Sequence, residues 1–195
     1  MWASWVLLLG LGLVVDPAAA QPRVHVIDAT QASASFWIRP IWLKRIEGRF
    51  PVLEGVVEGS GENGAMTVDV RIDTRALQMG RASHVSWAQS VEFFDVARHP
   101  WIRFRSEPVL PQQLLAGGEV AGELTLRGVT RAVRFELQPA SCTRPGFDCA
   151  VRATGELSRS DFGMDAKKHA LSDTVHLDFS VRLLEAAAAD TGAAP

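Results

Sequence analysis

Apolar and polar residues alternate at a period of two along most of this chain, the spacing of strands with one buried and one wet face. The cleanest run is Thr174 to Leu184. Val175, Leu177, Phe179, Val181 and Leu183 share one face there, and His176, Asp178, Ser180 and Arg182 share the other. Met66 to Asp73 repeats the pattern, with Val68, Val70 and Ile72 against Asp69, Arg71 and Asp73. Between Gly122 and Phe135 two such runs meet at Arg127-Gly128. Gly128 supplies the positive φ of a tight hairpin turn, with Leu124 and Leu126 on one face and Val133 and Phe135 on its continuation.

The same reading gives strands over Val24 to Asp28, Ala32 to Ile38, Ile46 to Phe50, Val52 to Glu58, Trp101 to Leu110, Gln113 to Leu126, Val129 to Gln138 and Val151 to Leu157. Residues 59–64, Gly-Ser-Gly-Glu-Asn-Gly, form a hairpin loop, and Pro40 to Arg45, with Trp42, interrupts the pattern. Leu77 to Ala97 loses the alternation and reads as a short helix and turn across a barrel end, stopped by Pro100. About eight or nine strands joined mostly by short turns predict an all-β domain, a single antiparallel barrel or a sandwich. Closure into a barrel would remove the exposed edges.

The 195 residues suffice for one domain with a substantial core. A formal net charge of −2 gives no electrostatic case for nucleic acid or an anionic membrane surface. Residues 1–20 read as an export signal. The apolar run Val6 to Val15 is too short to span a bilayer, and Ala18-Ala19-Ala20 offers small residues for cleavage. The alternative is a buried N-terminal helix, since no Lys or Arg precedes the apolar run. Residues 21–184 form the domain, and the Ala-rich residues 185–195 read as a frayed tail. Export favours a disulfide between the two cysteines, Cys142 and Cys149, across the Pro145-Gly146 turn; the alternative is a reduced pair.

Three blocks carry a family resemblance: Phe93-Phe94-Asp95 with the Pro100-led strand to Ser106, Gly122-Glu123-Leu124-Thr125-Leu126-Arg127-Gly128-Val129-Thr130, and Ser158-Arg159-Ser160-Asp161-Phe162-Gly163-Met164. In this order they resemble the YceI-like family of small periplasmic proteins, over about Val24 to Leu184. The resemblance implies a lipocalin-like antiparallel barrel, about eight-stranded, that encloses a long apolar lipid, typically a polyisoprenoid. It places the mature protein in the periplasm.

From periodicity alone the apolar faces would be an ordinary packed core. With the resemblance, Phe36, Ile38, Val68, Val70, Ile72, Ile102, Phe104, Leu124, Leu126, Val133, Phe135, Phe179 and Val181 are expected to line a lipid cavity, joined by Phe93, Phe94, Phe162 and Met164 at one end. An eight-stranded barrel is wide enough for one chain-like ligand. Arg81 and His84 stand where the family has Arg-Asp-x-His-Leu, with Ala82 in place of the acid. They are candidates for a polar head group; otherwise Arg81 pairs with an acid and His84 packs under the cap. Arg159 is a third head-group candidate, although the block around it reads more readily as a turn that seals the barrel, with Asp161 accepting backbone N–H bonds and Gly163 at positive φ. Trp37 and Trp42 are candidates for a half-wet barrel mouth, and Trp101 for the core.

Enzyme signatures are weak. No Gly-x-Ser-x-Gly elbow is present, and the histidines at 25, 84, 99, 169 and 176 lack metal-ligand spacing. Neither a metal nor a cofactor is expected, only a bound isoprenoid lipid as ligand. The expected role is sequestration of a polyisoprenoid or isoprenoid quinone, for transport, storage or protection. The alternatives are a partner of a membrane cytochrome or quinone enzyme, an enzyme acting on a lipid head group through Arg81, His84, Arg159 or Asp161, and a stress-induced β-protein with a solid core. A free strand edge would permit a homodimer.

Overall fold

A computed structural model describes residues 23–41, 44–51, 53–60 and 63–185. The export segment, Trp42 and residues 186–195 of the expected tail lie outside the described residues. The described chain forms eleven strands: β1 (Arg23–Val26), β2 (Ser33–Pro40), β3 (Ile46–Phe50), β4 (Leu53–Ser60), β5 (Ala65–Asp73), β6 (Gln78–Met79), β7 (Trp101–Ser106), β8 (Gly118–Leu126), β9 (Val129–Leu137), β10 (Val151–Ser158) and β11 (Leu171–Val181). Two helices, α1 (Ala82–Gln89) and α2 (Pro111–Ala116), complete it. All strands belong to one sheet in the order β1-β4-β5-β7-β8-β9-β10-β11-β2-β3-β6, with every neighbouring pair antiparallel. This is the expected all-β, lipocalin-like architecture, with more strands than expected. The additions are short, and β6 has only two residues.

The sheet curls because its edges reach across to other strands. At one edge, residues just past β1 tie β4 to the end of β11: Ile27 donates to Gly55 O at 2.9 Å, Asp28 N to Arg182 O at 2.8 Å, and Leu184 N to Val26 O at 2.9 Å. Ile27 also bridges Leu183. At the other edge β6, delivered from β5 by the 3-10 turn Thr74–Ala76, pairs with Gly48 and Arg49 of β3. Neither edge leaves a long unpaired strand, which limits edge-to-edge association.

The β8–β9 turn has both Arg127 (φ 54°) and Gly128 (φ 74°) in the left-handed region, the geometry of a two-residue hairpin. Two expectations fail nearby. The run Gln113 to Leu126 is not one strand, because Pro111 starts helix α2 and Gln113 Oε1 accepts from Leu110 N at 2.8 Å, capping it. Trp101 is not in the core. It pairs with Asp73 on the outer face and lies under the guanidinium groups of Arg71 and Arg75, at 5.0 and 5.3 Å.

The end of the sheet nearest α1 is shut by the three sequence blocks acting together. Arg127, at the hairpin tip, donates to Gly163 O and, at 2.8 Å, to Val91 O. Behind them Arg159 is 1% exposed. Its guanidinium donates to the backbone carbonyls of Met164, Ala166 (2.7 Å), Ser172 (2.9 Å) and Leu171 (3.3 Å), and stands 6.0 Å from the centre of the Phe93 ring. Burial lowers its pKa, an effect opposed by Asp173 and Asp165. Asp161 is exposed. The turn's carboxylate partner is instead Asp173, which accepts from Ser160 N at 3.1 Å and Ser160 Oγ at 2.7 Å.

Arg159→Met would strand four backbone carbonyls, those of Met164 and Leu171 in buried contacts and those of Ala166 and Ser172 in part-buried ones. The expected cost is about 3 kcal/mol of unfolding free energy, measured by chemical denaturation. A loss below about 1 kcal/mol would mean that water replaces the guanidinium.

Candidate functional site

The inner face of the sheet surrounds a cavity of about 270 Å³ that runs between its two ends. All eleven strands contribute to the wall, from His25 on β1 to Val181 on β11. The lining is apolar apart from His25, Ser35 and Arg159. At the α1 end it includes Trp87, Phe93, Phe94 and Met164; at the far end it includes Leu114, Leu183 and the loop residues Pro145, Gly146 and Phe147.

Three phenylalanines on the wall lie back over strand glycines. A Cβ on Gly48, Gly122 or Gly155 would fall within 3.0 Å of the ring of Phe36, Phe104 or Phe135 respectively. Phe36 is directly across from Gly48 in the β2–β3 ladder. Glycine therefore lets each ring fold against the wall instead of projecting to the axis. The rings then pack edge to face along the wall: Phe104 to Phe135 at 5.2 Å, Phe135 to Phe179 at 5.0 Å, and Phe36 to Phe94 at 5.8 Å.

The far end is covered by the loop between Cys142 and Cys149, which are disulfide-bonded. Leu183 N donates to Gly146 O at 2.8 Å, and Phe147 meets the His25 ring edge-on at 5.2 Å. A short closed loop of this kind contributes roughly 2 kcal/mol by restricting the unfolded chain.

Every expected lining residue faces the cavity except two. Val133 is on the inner side of β9 but only packs against the core cluster, and Phe162 is buried beneath the Arg159 turn. Neither Arg81 nor His84 reaches the cavity. Arg81 is exposed at the start of α1, where its carbonyl accepts from His84 N, and it makes no salt bridge among the described residues. Arg159 does border the cavity, but its donors are engaged by carbonyls. Trp37 lies outside, stacked on His176 at 3.5 Å. Sequence reasoning missed His25, Trp87, Leu114 and the disulfide loop as wall residues. The paired Gly and Phe positions were the available signal that the interior is hollow.

The family model for the YceI-like domain matches residues 25–183. A UPF0312 protein of Vibrio cholerae is 30% identical over 173 residues, covering 82% of this chain and 87% of that protein. The protein YceI of Salmonella arizonae is 28% identical over 164 residues, covering 79% and 82%. Among solved structures, a polyisoprenoid binding domain from Saccharophagus degradans superposes with a TM-score of 0.61 at 18% identity, over 80% of this chain and 95% of that one. BcnA of Burkholderia cenocepacia superposes with a TM-score of 0.66 at 18% identity, over 80% and 98%.

A methyl group at Gly155 must push Phe135 off the wall. Gly155→Ala is expected to weaken binding of an apolar fluorescent probe such as N-phenyl-1-naphthylamine about tenfold, the equivalent of one to two displaced methylenes. Unchanged affinity in a folded variant would show that the ring has room to move elsewhere.

Proposed function

Because this chain belongs to the YceI-like family, we propose that its barrel sequesters one long apolar lipid of the polyisoprenoid class. The observation that carries this reading is a lumen bounded by all eleven strands and almost devoid of polar groups. A solid-core protein has no reason to seat aromatic rings on glycines and leave the axis open. Transfer of each CH₂ from water into such a wall is worth roughly 0.8 kcal/mol, so several isoprene units bind tightly without a hydrogen bond along their length. The likeness to the polyisoprenoid binding domain of Saccharophagus degradans supports the isoprenoid class. Sequestration needs no catalytic group, and the reading includes none.

The site of action in this reading is the periplasm. Residues 1–20 have the form of an export signal, and the Cys142–Cys149 disulfide suits an oxidising compartment.

Mass spectrometry of lipid extracted from protein purified without detergent from its own periplasm tests the proposal. A stoichiometric isoprenoid is expected, and its mass would give tail length and head group. A different lipid would keep the carrier and discard the isoprenoid; a well-folded protein without lipid would count against sequestration.

A further inference from the structure

We propose that His25 is the polar anchor of the bound lipid, pairing through Nδ1 with an uncharged oxygen (hydroxyl, phenol or carbonyl) at the ligand's terminus. This rests on the sequestration reading and adds to it an orientation and a head-group class. Among the described residues, His25 Nδ1 is a buried side-chain polar atom without a hydrogen-bond partner. His25 lines the cavity, and because Nδ1 itself has no surface open to the lumen, a ligand oxygen reaches it through a turn of the imidazole. Buried polar atoms are ordinarily paired, and a lone exception calls for a partner that is missing from the protein itself.

The strand register makes this placement deliberate. On β1 the phase is reversed relative to the other strands: Val24 and Val26 are 53% and 50% exposed, while the histidine between them turns inward. A slip of one residue would bury both valines and expel the imidazole. The slip is prevented by the ladder that sets His25 opposite Val57 and by the bonds from Ile27 N to Gly55 O and from Leu184 N to Val26 O. Phe147, from the disulfide-closed loop, then packs edge-on against the ring.

The surroundings select a neutral head. Among the described residues, His25 and Arg159 are the only ionisable ones on the wall. Arg159 is at the opposite end of β10, roughly 25 Å away at 3.3 Å per residue, with its donors on carbonyls. Two arginines at the disulfide loop are engaged: Arg144 pairs with Asp148 and Glu185, and Arg182 donates to Asp148 O and Gln31. A phosphate drawn into this end would meet no permanent cation among the described wall residues there. An alcohol or phenol satisfies Nδ1 in either imidazole tautomer, because its oxygen both donates and accepts.

The test compares three probes on the mature protein: all-trans-geranylgeraniol, the hydrocarbon of the same skeleton lacking the hydroxyl, and geranylgeranyl monophosphate. Tryptophan fluorescence reports binding, since Trp87 lines the lumen. Wild type is expected to prefer the alcohol to the hydrocarbon about tenfold, the scale of one hydrogen bond in a dry site, and to bind the phosphate least. His25→Leu should bind hydrocarbon as before and lose the preference; His25→Gln should restore part of it. The His25 imidazole nitrogen resonances should move with the alcohol and stay still with the hydrocarbon, a readout that does not depend on either variant folding. Equal preference in wild type and His25→Leu, tightest binding of the phosphate, or an unmoved imidazole would overturn the anchor while leaving hydrocarbon binding, and so the carrier, intact. Failure of wild type to bind any of the three would overturn both.

Discussion

A protein that encloses an apolar lumen must close its ends without filling its middle, and the buried guanidinium of Arg159 is how this one closes the first end. An ordinary core would pack side chains across the gap. Here a single cation draws four backbone carbonyls from Met164, Ala166, Leu171 and Ser172 around itself and holds the turn after β10 against the start of β11. Because carbonyls and not carboxylates accept its hydrogen bonds, the contact is fixed by chain geometry, and Asp173 and Asp165 act on it through their charge alone. Arg127 extends the closure by bonding to Val91 and Gly163 from the β8–β9 tip. The blocks that mark the family in sequence are thus parts of one structural seam. Their strong signature reports how the barrel is shut, and Phe93, Phe94, Phe104, Leu124, Leu126 and Met164 from the same blocks also line the lumen.

The middle stays open for a complementary reason. Phe36, Phe104 and Phe135 have the bulk to fill the axis, yet each is seated on a glycine and packs along the wall. The same residue types in the same strands, with alanines at 48 and 155, would drive Phe36 and Phe135 off the wall, while at 122 a Cβ would meet the Arg105 carbonyl oxygen as well as Phe104. Volume and hydrophobicity therefore do not separate a packed barrel from a hollow one; the pairing of glycine with aromatic residue across the ladder does.

That difference explains what could be read from the sequence. The long strands were legible because β5 and the run Thr174 to Val181 of β11 keep strict alternation, and alternation fixes which side chains face inward. Even Trp101 obeys it: Ile102 and Phe104 line the lumen, so Trp101 and Arg103 must face out. The expectation that a tryptophan belongs in the core overrode a signal already present. Helix α2 was missed because six residues show no helical period, although Pro111 and Gln113 were there as start signals. The two-residue β6 has no period to detect. The carboxylate that anchors the Arg159 turn was misassigned to Asp161 because its true source, Asp173, arrives from the next strand. The head-group candidates Arg81 and His84 sit on α1, whose polar side turns from the lumen, and nothing in local sequence says which way a short capping helix will roll.

β1 shows the limit of alternation most clearly. Val24, His25 and Val26 fit two phases equally as a string, and burial of two valines would favour the wrong one. The phase is decided downstream, where Ile27 must bridge Leu183 and Asp28 N must reach Arg182 O to close the sheet. Closure thus outweighs the burial of two side chains, and its consequence is an imidazole in an otherwise apolar wall. The disulfide loop completes the arrangement by setting Phe147 against that imidazole. The two ends of the lumen are then chemically unlike: at one end the polar group is spent on the backbone, and at the other a buried imidazole nitrogen is left without a partner.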